Sequence, residues 1–427
     1  MKVWIDVLGC PKNEADSSVV TELLIQKGYE IANDLEKADV AIINTCGFIT
    51  AAKEESINEI FRVVQLKQKK AIKLIVHGCL VQRYLTELRN EIPEVDSFLG
   101  VVVPQKVVEA VEKPYDFVGL PQPIYDFSGR KMNDKPYAYV KIGDGCNRQC
   151  SFCAIPLIKG PLKNRTIEDV IKEVEFLVMN GKREIVLVSQ DLTQYRDKSK
   201  TLLDLLYAID RIKGNFWVRL LYLYPDGVTN ELIGFVKNSH HFLHYFDIPI
   251  QHASPKILEK MHRSSNVKDL ERKFLKIREA IKDAIIRTTV MVGFPGETKE
   301  DIEKLVEFMQ KIKFDKLGAF VYSDEEGTPA HSLGQKIPET VAKKRYDRVM
   351  QVQKKISFEK NKKHVGKILD VMVESKESGV YIGRSYMDAP EIDGYVHFTS
   401  SKILKSGDVL KVKIKNWESY DLEGVGL

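Results

Sequence analysis

Apolar positions in the first 120 residues fall into short runs separated by longer amphipathic stretches. The runs at 2–8, 39–44, 71–76 and 97–102 predict strands, and the stretches at 15–27, 51–69 and 80–92 predict helices. Strands alternating with helices imply parallel pairing, so residues 1–120 are expected to form a doubly wound parallel sheet. Residues 113–135 hold Pro114, Pro121 and Pro123 with little periodicity, and are expected to be a linker. The alternation then restarts. Strands are predicted at 137–142, 184–189, 216–223, 245–250, 286–292 and 317–322, with helices at 166–180, 202–213, 229–238, 267–282 and 299–311. Six such units fall short of a full eight-fold barrel and predict an open, six-stranded βα barrel over residues 132–364, ended by a charged helix at 338–361. Residues 365–427 switch to short strand patterns at 368–374, 380–384, 394–398 and 409–416, punctuated by Gly and Asp. They predict a small antiparallel barrel of OB-like type.

Composition adds bounds. The chain has 427 residues, 44% of them hydrophobic and 29% charged, which suits two or three soluble domains. No apolar run approaches the ~20 residues of a membrane span. Met1 leads directly into a strand pattern with an acidic residue at Asp6, unlike a signal peptide, so a cytoplasmic location and no membrane partner are expected. Six cysteines in such a chain read as ligands or catalytic groups, not disulfides. A net charge of +5 neither demands nor excludes nucleic acid.

The cysteines divide into two sets of three. Cys146, Cys150 and Cys153 share one loop, spaced C-x3-C-x2-C, just after the first barrel strand and so at the mouth where parallel barrels place their sites. Three thiolates can hold three irons of a four-iron cluster and leave the fourth iron open to a small molecule, which makes a reaction centre and not a mere electron carrier. Gly143 and Gly145 would let backbone approach a large inorganic group, and Phe152 could shield it or face a bound ring. The bland alternative is a zinc site, which would need a fourth ligand from elsewhere, such as His252 or His262. Cys10, Cys46 and Cys79 each follow a predicted strand, one βα unit apart. In a parallel sheet those strand ends converge on one edge, so three scattered cysteines become one site, each before a helix N-terminus that favours an anionic group. Here the alternative is three buried core cysteines.

The central trio, with an aromatic before its last cysteine, resembles the radical S-adenosylmethionine (SAM) superfamily. That resemblance implies a [4Fe-4S] cluster whose open iron binds SAM and yields a 5′-deoxyadenosyl radical. It also implies SAM contacts along the strand ends, for which Ser189 and Gln190, Gly293 and Gly296, and Phe152 are the candidates. With the segments Gly9–Asp16, Asn44–Ile49 and His77–Cys79 added, almost the whole chain resembles the methylthiotransferases: a cluster domain, a radical barrel and a C-terminal TRAM domain. The family pattern implies a second [4Fe-4S] cluster on Cys10, Cys46 and Cys79 that carries sulfur, a reductant protein as electron donor, and a sulfur donor that the sequence leaves unnamed. The net reaction replaces a C–H hydrogen with S–CH3.

Two branches of that family differ in substrate, one modifying a tRNA adenosine beside the anticodon and the other an aspartate β-carbon of the twelfth small-subunit ribosomal protein. Segments 10–13, 46–49, 245–254, 322–329 and 383–394 resemble the second branch, with the tRNA enzyme as the alternative. Charge argues independently. Residues 361–427 carry ten Lys/Arg and ten Asp/Glu, whereas a domain gripping phosphate should be clearly basic, so nucleic acid is not expected as the modified substrate. Asp388, Glu391 and Asp393 sit in one loop and are expected to face a basic protein such as a ribosomal protein. A cation is also expected beside the substrate carboxylate. Lys12, Arg148, Lys159, Arg219 and Arg287 are candidates that spacing does not separate. A non-catalytic reading, clusters used for electrons alone, conflicts with the open iron.

Overall fold

A computed structural model of the chain describes residues 1–121 and 126–427; Pro123, part of the expected linker, lies outside the described residues. The N-terminal sheet is parallel throughout, in the order Glu30–Ile31, Lys2–Val7, Val40–Thr45, Lys73–Gly78, Ser97–Leu99. Its central strand Val40–Thr45 is buried at every position, because helices cover both faces and leave no polar side. The helices Pro11–Gln26, Thr50–Lys67 and Cys79–Glu91 start close behind three strand ends, and a fourth, Pro104–Glu112, was not anticipated. The expected linker is anchored at both ends. Phe117 pairs with Phe98 and Gly100 at the sheet edge, and buried Arg130 binds Glu173 of the barrel at 2.6 Å and Ser18 of the first domain at 3.3 Å.

The barrel is open and built from two parallel three-stranded sheets. One runs Trp217–Leu220, Glu184–Val188, Tyr137–Lys141; the other runs Tyr245–Asp247, Ile285–Val292, Lys316–Val321. Bridges Val218 to Phe242 and Gln251 to Val290 extend the pairing beyond the named strands. Helix Glu339–Lys362 packs behind the second sheet, where Gln353 donates to the Phe314 carbonyl at 3.0 Å. No described helix is long and apolar enough to cross a membrane.

Residues 365–427 close a five-stranded barrel from Ile368–Glu377, Val380–Arg384, Val396–Thr399, Leu422–Gly426 and Val409–Trp417. Its pairs are antiparallel except one, Val396–Thr399 with Leu422–Gly426, because the unanticipated last strand enters beside the third. This small barrel packs against the N-terminal ends of the large barrel's strands. Glu184 takes Arg219 and Arg384 at 2.6 Å each, all three fully buried. Burial pushes the Glu184 carboxyl up, but the two guanidiniums outweigh it and hold it below the usual carboxylate range. The acidic loop, expected to face outward, turns in here. Asp388 is buried and pairs with Lys316 at 2.6 Å, Asp393 accepts from the Tyr245 hydroxyl at 2.5 Å, and Glu391 pairs with Lys135 and accepts from Tyr137 at 2.8 Å. The loop fails as a docking surface because its carboxylates already have intramolecular partners.

Candidate active site

The opposite, C-terminal end of the barrel carries the central thiols. After strand Tyr137–Lys141 the chain makes a two-residue pairing, Gly143–Asp144 with Lys163–Asn164, that frames the loop of Cys146, Cys150 and Cys153. A Cβ on Gly145 would stand 2.3 Å from the Pro161 carbonyl oxygen, and one on Gly143 would stand 2.4 Å from Asn164 Oδ1. Those glycines therefore let the loop return closely on itself. Two arginines flank the thiols: the Arg148 amide lies 3.4 Å from Cys146 Sγ, and the Arg263 guanidinium lies 3.7 Å from Cys150 Sγ. Tyr224 is held between the same two guanidiniums, 3.8 and 4.3 Å from its ring centre. Burial pushes the Cys146 thiol up and the Cys153 thiol up to about 12, so these sulfurs stay protonated until a metal group draws them as thiolates.

The other mouth residues are distributed unevenly. Phe152 packs with Ile257, Met261 and Phe294 beneath the loop. Ser189 and Gln190 end strand Glu184–Val188; the Ser189 hydroxyl and Gln190 Oε1 are buried with no hydrogen-bond partner, which is what a site awaiting a polar ligand shows. The space left by the two downstream glycines is filled by protein. A Cβ on Gly293 would meet Ala342 Cβ at 2.6 Å, and one on Gly296 would meet Lys260 Nζ at 2.3 Å.

Cys10, Cys46 and Cys79 come together at one edge of the N-terminal sheet. Cys10 caps helix Pro11–Gln26, Cys79 opens helix Cys79–Glu91, and Cys46 lies four residues before helix Thr50–Lys67. A Cβ on Gly9, whose φ is +92°, would stand 2.9 Å from Cys46 Sγ, and one on Gly47 would stand 2.8 Å from the Cys79 carbonyl carbon. The three loops thus touch. Side chains within the same motifs lace them: Asn13 donates to the Leu8 carbonyl at 2.8 Å, Asn44 to Ser17 at 2.9 Å, and the Cys46 amide to Ser56 at 3.0 Å. Burial pushes Cys46 up and Cys79 up to about 12, while burial and the nearby Lys159 push His77 down to about 3. Among the described residues, no three His, Cys, Asp or Glu side chains converge on a point as the ligands of a single ion would.

Between the two thiol sites runs a charge network that the sequence did not reveal. Asp16 of the first domain pairs with Lys141 of the barrel. Asp144, fully buried, takes Lys141 at 3.4 Å, Lys159 at 3.0 Å and the Gln190 amide at 2.6 Å. Burial pushes the Asp144 carboxyl up, but Lys159 and Lys141 win and hold it well below its ordinary range. A second contact holds the first domain on the barrel rim. Glu325, 2% exposed, takes Lys53 at 2.9 Å and Arg83 at 2.6 Å, and the Thr50 amide donates to Ser323 at 3.1 Å. Four of the five candidate cations are already matched: Arg148 with Asp191 at 2.9 Å, Lys159 with Asp144, Arg219 with Glu184, and Arg287 with Asp247 at 2.8 Å.

Fold and thiol placement define a radical enzyme with an added cysteine domain and a terminal β-barrel. Residues 140–309 match the radical SAM superfamily, residues 365–426 the TRAM domain, and residues 2–100 the uncharacterised protein family UPF0004. The chain is 48% identical over 427 residues to the ribosomal protein uS12 methylthiotransferase RimO of Thermosipho africanus, covering 99% of both chains. It is 47% identical over 429 residues to the protein of the same name from Thermotoga maritima, again over 99% of each. The fold resembles the radical SAM methyltransferase TsrM from Kitasatospora setae, solved with cobalamin and a [4Fe-4S] cluster, with a TM-score of 0.59 at 13% identity over 92% of this chain and 81% of that one. The chain belongs to the RimO family of radical SAM methylthiotransferases, enzymes that use an iron–sulfur cluster and SAM. The tRNA-modifying alternative is not favoured by these relatives.

Proposed function

We propose that this enzyme replaces a hydrogen on the β-carbon of an aspartate in ribosomal protein uS12 with a methylthio group. The observation that carries the reading is the pairing of two thiol trios across one mouth, in a chain matched end to end by uS12 methylthiotransferases. In this reading Cys146, Cys150 and Cys153 hold one [4Fe-4S] cluster and Cys10, Cys46 and Cys79 a second. When bound, the cluster and SAM at the barrel mouth supply a 5′-deoxyadenosyl radical, and the second cluster supplies the sulfur. The chain's residues do the rest. Ser189 and Gln190 present unpartnered polar atoms to SAM and Phe152 walls its pocket, whereas the space beside Gly293 and Gly296 is taken by Ala342 and Lys260. Arg263 brings positive charge against an anionic cluster, and the Arg148 amide donates toward Cys146 Sγ. The electron comes from a reductant protein. Residues 1–120, 132–364 and 365–427 act as the cluster, radical and TRAM domains.

Anaerobically reduced enzyme, loaded with iron and sulfide, is to be incubated with SAM and with either uS12 or tRNA. Mass spectrometry should find the methylthio group on uS12 and none on tRNA. Modified tRNA with untouched uS12 would overturn the substrate. About four irons per chain instead of about eight would overturn the second cluster.

A further inference from the structure

A methylthio group destined for an aspartate β-carbon is delivered next to a carboxylate, and a site that holds that carbon still must hold the charge beside it. This inference rests on the uS12 reading. Of the five cations considered, Lys12 alone makes no ion pair among the described residues: no carboxylate lies within ion-pairing distance of it, and the charges that act on it from further off are those of Cys10 and Asp144. It is nonetheless 7% exposed. A buried ammonium without an anion is strongly unfavourable unless something else meets it. Among the described residues the ring of Tyr222 meets it, with its centre 4.7 Å from Nζ, and the Cys10 thiol two residues before it acts on its charge. A ring face engages one side of an ammonium that has three donors, which leaves room for an oxygen ligand.

Tyr222 is itself set with effort. Its φ is +65°, a left-handed conformation that a bulky aromatic residue adopts only where its surroundings impose it. The imposing contacts are its own amide, donated to Asp247 at 2.9 Å, and its carbonyl, which accepts from the Leu192 amide at 3.1 Å. The residue just past strand Trp217–Leu220 and Leu221 is therefore twisted so that its ring meets a lysine from the other domain. Lys12 stands two residues after Cys10, in the first turn of helix Pro11–Gln26, and Tyr222 stands at the barrel mouth, so the pair marks the junction of the two thiol sites.

We propose that the Lys12 ammonium, backed by the Tyr222 ring, binds the carboxylate of the substrate aspartate and so fixes its β-carbon at the junction of the two thiol sites. The competing role for Lys12 is to neutralise an anionic cluster on Cys10, Cys46 and Cys79, and the two roles separate experimentally. Binding of uS12, and of uS12 with its target aspartate changed to asparagine, is to be measured on cluster-loaded wild type, Lys12→Gln and Lys12→Arg. Wild type should prefer the aspartate form by about tenfold to a hundredfold, the range of a charge-assisted hydrogen bond. Lys12→Gln should bind both forms alike, Lys12→Arg should keep part of the preference, and both should hold as much iron as wild type. Three results would each overturn the proposal: a Lys12→Gln enzyme that keeps the preference, one that loses about half its iron, or a wild type with no preference. The last stands even if Lys12→Gln does not fold. A wild type that leaves uS12 unmodified would instead sink the substrate reading, and this inference with it.

Discussion

The two ends of the barrel differ in what stands among their ion pairs. At the N-terminal end of the strands the carboxylates meet cations: Glu184 with Arg219 and Arg384, Asp388 with Lys316, Glu391 with Lys135. The C-terminal end has ion pairs of its own, Asp144 with Lys141 and Lys159 and Arg148 with Asp191, but neutral polar groups and thiols stand among them. Ser189 and Gln190 have orphaned oxygens there, Lys12 makes no ion pair among the described residues, and six thiols stand in two groups, while at the N-terminal end Arg219 and Arg384 each leave one guanidinium nitrogen unpartnered. One end uses its ion pairs to hold the TRAM barrel in place, and the other sets two thiol groups among its own.

The sharpest way to break this contrast is at the thiols. Alanine at Cys10, Cys46 or Cys79 should lower iron from about eight to about four per chain and abolish methylthiolation, while thermal unfolding of the apoprotein stays near that of wild type. Full sulfur insertion by any of these variants would show that the first trio is structural. At the other end, Glu184→Leu strands two buried guanidiniums and should destabilise the chain by about 3–5 kcal/mol in urea unfolding. A loss under 1 kcal/mol would mean that the TRAM barrel is held mainly by its apolar contacts. Glu325→Gln weakens the contacts to Arg83 and Lys53 and should lose about 1–3 kcal/mol by the same assay; no change would mark them as incidental.

Acid sharpens the comparison with the smallest effect. Glu184 is held below its ordinary value of 4.5, so its pairs contribute stability above that pH and lose it as pH falls through the lower folded value. Wild type should therefore lose stability on acidification below about pH 4.5 more steeply than Glu184→Gln, which has no such proton to take up. Parallel slopes would show that other carboxylates dominate.

The sequence carried most of the parallel strands and the placing of Cys10, Cys46, Cys79 and Cys146 just past strand ends, because buried parallel strands are apolar runs, though it missed the short strand Glu30–Ile31. It carried less where the signal was short or mixed. Helix Pro104–Glu112 is one valine-rich stretch, and strand Leu422–Gly426 holds two glycines. Ion pairs between distant residues leave no periodic trace, so the Asp16, Lys141, Asp144 and Lys159 network stayed hidden, and spacing could not choose among five cations that geometry sorts at once. The acidic loop misled for the same reason. Its composition reads as solvated, and only the packed barrel shows Asp388 facing Lys316.

Glu325 reaches from the barrel rim to Lys53 and Arg83, on two different helices of the first domain. A latch with two prongs resists swivelling as well as separation. The two thiol-bearing domains are thereby tied at a fixed mutual angle through one carboxylate, so a change at Glu325 alone bears on how both face each other.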